Sequence, residues 1–192
     1  IGDTYAKNYE AEISSRGEKL PHYTEVGVGF SKMCLTPMLE YGRQALEDNK
    51  KGVATEALEQ VALAIVVTTA IVSIFLTRDF TPDYNSGLAH ACFYALTAYP
   101  VIEKEHLHGE VVGFGVLYAL LVDGQQEEFE KIYALNKELG LPVRIADIGI
   151  TEEQFFETMD RIPQMSDIRH YPYAVTKEML MQAYETIEQL SV

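Results

Sequence analysis

Residues 87–122 read GLAHACFYALTAYPVIEKEHLHGEVVGFGVLYALLV. Two apolar runs at helical spacing, about 87–98 and 108–122, flank Pro100 and a polar turn. A proline stops a helix, and a short polar turn returns the chain alongside it. This stretch therefore predicts two packed helices rather than strands, because the period-2 alternation of a half-buried strand is missing.

The same period extends outward in both directions. Tyr5, Tyr9 and Ile13 fall four apart and predict a helix over 3–15, with Gly17 as its stop. Residues 29–48 continue the pattern, and Pro37 inside it predicts a kink or a second helix start behind Thr36. Asn49 to Gly52 reads as a break. Residues 54–77 are the most apolar stretch, interrupted between Val61 and Leu76 only by Thr68, Thr69 and Ser73. It has no flanking basic cluster, so it is expected to be a central helix buried on all sides and not a membrane span. Residues 78–87 read as a loop. Further helices are expected over 125–139, ending at Gly140, and from Thr151, which opens a capping box with Gln154, to Arg161. The last helix is expected over 176–190 behind Thr176. The expected fold is all-α, a single helical-bundle domain over residues 1–192.

Composition narrows the function. Asp and Glu number 29 against 15 Lys and Arg, a formal charge of −14. That excess argues against nucleic acid and against an anionic membrane surface as partners, since both need clustered basic residues. The two cysteines, Cys34 and Cys92, form no metal or redox motif, and no signal-peptide pattern precedes the first helix. A reduced, cytoplasmic protein is the expectation. No glycine-rich dinucleotide loop, phosphate-binding loop or nucleophile elbow is present. The chain begins at Ile1 rather than Met, which reads as a processed product or a piece of something longer.

Chemistry concentrates at the histidines. Three of the five, His90, His106 and His108, fall within one short segment. Neutral imidazole is a common ligand of zinc and iron. A pair from adjacent helices, His90 and His108, would need a third ligand and an open position to act on substrate. Asp3 is one candidate for that ligand. The alternative pair His106–His108 has a spacing of two, which suits a strand better than a helix.

Ala89-His90-Ala91, followed by His108-Gly109-Glu110 and the run from Val112 to Gly115, resembles the metal-binding region of the glycerol dehydrogenase group. That group belongs to the iron-containing alcohol dehydrogenase superfamily, of dehydroquinate synthase-like fold. The opening Ile1-Gly2-Asp3-Thr4-Tyr5-Ala6 resembles the family's first-ligand segment, and His170-Tyr171-Pro172 stands where relatives have Asn-x-Pro. The resemblance covers essentially the whole chain and corresponds to the family's C-terminal helical, metal-binding half. It implies that Asp3, His90 and His108 hold a catalytic Zn²⁺ or Fe²⁺. It implies a polyol or alcohol substrate and hydride transfer to NAD. The NAD would be bound mainly by an N-terminal domain of the same protein that is not in this chain, and the assembly would be a homo-oligomer. On that basis the isolated chain is expected to be inactive.

The sequence departs from the family at Asp79 to Gly87, where relatives often carry Phe-Glu-Ser-Gly-Gly. Phe80 and Tyr84 there either line the substrate pocket or pack. His106 is expected to sit beside the site or face solvent, and Glu110 to serve its helix N-terminus. The alternatives are a related hydroxy-acid or glycerol-1-phosphate dehydrogenase, and a stand-alone, non-enzymatic helical metal-binding module. A dehydroquinate synthase is disfavoured because its first ligand is usually Glu and its histidine-rich run before His108 is missing.

Overall fold

The computed structural model describes residues 1–78, 81–82 and 84–190. Among the described residues ten α-helices carry the fold: α1 (Gly2–Ser14), α2 (His22–Lys51), α3 (Glu56–Leu63), α4 (Thr69–Leu76), α5 (Leu88–Leu96), α6 (Pro100–Glu105), α7 (His108–Val122), α8 (Gln126–Leu139), α9 (Glu152–Arg161) and α10 (Lys177–Gln189). A π-helical turn, Ala64–Thr68, joins α3 to α4, and short 3₁₀ turns follow α8 and α9. Among the described residues the only strands are Thr77–Arg78 and Thr81–Pro82, one antiparallel pair in which Thr77 faces Pro82 and Arg78 faces Thr81.

The helix buried on all sides is α7. Every residue from Val111 to Leu120 is inaccessible, and α7 packs against α1, α5, α8 and α10. Glycines make this possible. A Cβ on Gly115 would lie 2.6 Å from the Ala89 carbonyl oxygen, and one on Gly2 would lie 2.0 Å from that of Gly109. Backbones in contact leave no room for a side chain between them, so α5 crosses α7 at Gly115, and the start of α1 meets the start of α7.

The expectation that residues 54–77 form the all-round buried helix is corrected. The run Glu56–Leu76 is long and apolar enough to cross a membrane by length and composition, yet only 17% of its most apolar window is buried. It packs on α2, and α4 also touches α1. Val61, Ala64, Val72 and Leu76 face inward, while Val66 and Ile74 are 69% and 72% exposed. Leu63, Val66, Val67, Ala70 and Ile74 recur at three- and four-residue spacing and form an outer apolar stripe. Hydropathy records what a side chain prefers, not which neighbours reach it, and here the chain places neighbours on one side only.

Three local expectations also change. α2 starts at His22 and runs unbroken through Pro37, which is buried; the packing of this amphipathic helix holds it together despite the backbone bond that Pro removes. The polar turn after Pro100 contains the short helix α6. The segment after Leu76 carries the two-residue strands where a loop was expected. The caps stand as the sequence indicated. Thr151 and Gln154 form a reciprocal capping box, and the Thr176 hydroxyl accepts from the Met179 amide. Gly52 and Gly140 end their helices at φ +67° and +72°, in the left-handed region that favours glycine.

Candidate metal centre

Asp3 lies in the first turn of α1, His90 in the first turn of α5, and His108 at the first position of α7. The two glycine crossings bring these helix starts together. Each of the three residues offers a ligand atom within 4.8 Å of the others. Asp3 Oδ1 is 3.3 Å from His90 Nε2 and 3.7 Å from His108 Nε2. His106 is not part of this group; its Nδ1 lies 3.6 Å from Glu110 Oε2. Glu110 Oε2 also accepts the Leu107 amide at 3.0 Å, so Glu110 caps α7.

Asp3 Oδ1 is buried and has no hydrogen-bond partner. Lys7 Nζ stands 3.8 Å from it but donates to the Asn85 carbonyl instead. A buried carboxylate oxygen without a donor is costly unless a cation meets it. Tetrahedral zinc with bonds of about 2.0–2.2 Å spaces its ligand atoms roughly 3.3–3.5 Å apart. The Asp3–His90 separation of 3.3 Å falls in that range, and the Asp3–His108 separation of 3.7 Å lies just beyond it. The donor set of two imidazoles and one carboxylate suits zinc or iron.

The electrostatics have the same sense. Burial disfavours the Asp3 charge, but His108, His90 and Lys7 hold its carboxyl well below the usual range. Burial likewise opposes a charge on His90, yet the Glu10 charge, the nearby Asp3 carboxylate and the contact with Glu10 push it up to about 9.

Several contributors went unseen in the sequence. Glu10, fully buried on α1, accepts the His90 amide at 2.9 Å through Oε1 and contacts His90 Nδ1 at 2.6 Å through Oε2. It lies seven residues after Asp3, on the same helix face. Tyr171 accepts the Leu88 amide at 3.1 Å. Together these two side chains satisfy open amides at the start of α5. Phe93 packs its ring edge-on against His108, with centroids 4.4 Å apart. Tyr5 Oη donates to Asn136 at 2.7 Å, and Asn136 Nδ2 donates to the Gly113 carbonyl at 3.3 Å, locking α1, α7 and α8 beneath the site.

Tyr84 packs rather than lining the site. It is 7% exposed among Ala11, Cys34, Val72 and Leu76, and its hydroxyl donates to Glu18. Phe80, Asp79 and Asp83 lie outside the described residues.

A glycerol dehydrogenase of Pseudomonas putida is 29% identical over 204 residues, matching 99% of this chain and 52% of that protein. The chain is homologous to the glycerol dehydrogenases. A hydroxycarboxylate dehydrogenase A of Escherichia coli K12 is 27% identical across 98% of the chain and 52% of that protein. The crystal structure of a probable glycerol dehydrogenase from Sinorhizobium meliloti superposes on 99% of the chain and 54% of its own, with a TM-score of 0.80 at 22% identity. That superposition carries the fold alone. The chain corresponds to the C-terminal helical domain of the glycerol dehydrogenase group, and it spans about half the length of the relatives it matches. No family model matches it.

Proposed function

We propose that this chain is the metal-binding catalytic domain of an NAD-dependent glycerol or polyol dehydrogenase. Asp3, His90 and His108 hold a divalent cation, zinc or iron. The observation that carries the reading is the buried, unpartnered Asp3 Oδ1 facing two ring nitrogens.

When bound, such a cation polarises a substrate hydroxyl, lowers its pKa and so favours hydride release to nicotinamide. The chain's own residues prepare that chemistry. Asp3 supplies the single negative charge among the three ligands. His90, 5% exposed, is fixed from behind. His108 has a side chain 44% exposed and faces the open side, where a small alcohol would arrive. The nicotinamide is assigned to an N-terminal NAD-binding domain of the same protein, the half of the relatives that this chain does not span. The isolated chain is therefore expected to bind metal and to turn nothing over. A homo-oligomeric, cytoplasmic enzyme completes the proposal.

A hydroxy acid is the second substrate class, favoured by the match to a hydroxycarboxylate dehydrogenase at almost the same identity. Elemental analysis of the purified chain tests the metal, with about one zinc or iron per molecule expected and loss on His90→Ala or His108→Ala. Assays of glycerol, 1,2-diols and 2-hydroxy acids with NAD on the longer protein then rank the substrates. A chain with no metal after reconstitution and with unchanged thermal stability under chelation contradicts the reading. Sustained NAD reduction by the isolated chain contradicts the domain assignment.

A further inference from the structure

We infer that Glu10 is the positioning residue of this centre: its carboxylate fixes His90 as the Nδ1–H tautomer and so presents the bare Nε2 to the cation. The inference rests on the metal reading above.

The geometry is specific. Both Glu10 oxygens are used on one residue, Oε1 by the His90 backbone amide at 2.9 Å and Oε2 by the ring Nδ1 at 2.6 Å. The two contacts fix ring position as well as proton position. An ionised carboxylate only accepts hydrogen bonds, so Nδ1 must donate. In the neutral ring Nε2, on the far side, is then the lone-pair nitrogen, and it is this atom that lies 3.3 Å from Asp3 Oδ1. A carboxylate behind a ligating imidazole also raises the basicity of the ligand.

Glu10 is fully buried on α1. It lies against the first turn of α5, where the open amides and the helix dipole favour an anion. The backbone there is tight. A Cβ on Gly87 would lie 3.2 Å from Glu10 Cγ and 3.1 Å from Tyr171 Cε2. The pocket behind His90 is thus filled by protein on every side the contacts describe, leaving Glu10 little room to turn away.

The test is Glu10→Gln, which keeps size and shape. Its amide has one acceptor and one donor. With the oxygen on the His90 amide, the NH₂ faces Nδ1 and selects the opposite tautomer, with a proton on Nε2. Cobalt(II) titration, followed by visible absorption, should show affinity falling about 10–100-fold, with the metal-free circular dichroism unchanged. Equal affinity in the wild type and the variant overturns the inference while leaving the metal reading intact. No cobalt binding by the wild-type chain removes the metal reading itself, and this inference with it. Should the variant fail to fold, ¹⁵N NMR of histidine-labelled, zinc-loaded wild-type chain decides: a proton on His90 Nδ1 is expected, and its absence overturns the assignment.

Discussion

The Ala89 carbonyl and Gly115 touch backbone to backbone. A Cβ on Gly115 would stand 2.6 Å from the Ala89 oxygen and 2.9 Å from its Cα. Ala89 immediately precedes His90, so the closest approach of α5 to α7 sets the height of a candidate ligand. Gly115→Ala must push the helices apart. Overpacking of this kind costs about 1–3 kcal/mol, and it should weaken cobalt binding as well. Urea denaturation with a parallel cobalt titration checks both, and an unperturbed midpoint would show that the crossing is looser than described.

A second anchor is independent of the metal. Arg16 reaches Asp123 with two bonds of 2.8 Å, and Tyr173 and Gln125 each donate to the same carboxylate at 2.7 Å. Burial disfavours the Asp123 charge, but these donors keep its pKa lowered. The cluster ties the segment after α1 to the end of α7 and to the approach to α10. Because Arg16 is half exposed, its ion pair counts for less than its hydrogen-bond geometry implies. Asp123→Ala should cost roughly 1.5–3 kcal/mol and leave metal affinity within twofold of wild type. A large loss of affinity would mean that the two regions are coupled.

The apolar outer stripe provides a contrast within one helix. Leu76 is 1% exposed and Ile74 is 72% exposed. Leu76→Ala is expected to cost about 2–5 kcal/mol, whereas Ile74→Ala should stay within about 0.5 kcal/mol. Thermal unfolding of the two variants separates a one-sided α4 from one buried all round.

The pH dependence of the metal-free chain follows from His90. Its folded value, about 9, lies above the ordinary 6.5. The stabilisation is therefore fully present below about pH 6.5 and is lost as pH rises through 9. The thiols do not titrate in that window, because burial pushes Cys34 up to about 11 and Cys92 higher still. Melting in the presence of a chelator should drop from pH 6.5 to 9 in wild type and flatten in His90→Gln. Cobalt affinity should rise over the same window, since the proton must leave before the ion binds. A melting temperature independent of pH would contradict the charge pairing described for His90.

The fold was largely legible in the sequence because its signals are local. Tyr5, Tyr9 and Ile13 mark a helix face within one segment, and Thr151 and Thr176 act on amides three residues away. Asp3, His90 and His108 were legible as a set only through resemblance, because nothing in spacing brings the start of α1 to the start of α5. Glu10 stayed hidden for the same reason: its partner is 80 residues away. The misread burial of α4 has a different cause. α4 and α7 are both apolar, but only α7 carries Gly109, Gly113 and Gly115, which let neighbouring backbones close in. Helix apolarity without such close-approach positions said nothing about how many sides are covered.

The most direct measurement is anomalous diffraction from crystals of the chain grown with zinc. One peak is expected, bonded to Asp3 Oδ1, His90 Nε2 and His108 Nε2 at about 2.0–2.2 Å. A zinc peak elsewhere, with Asp3 and His90 left paired to each other, would contradict it.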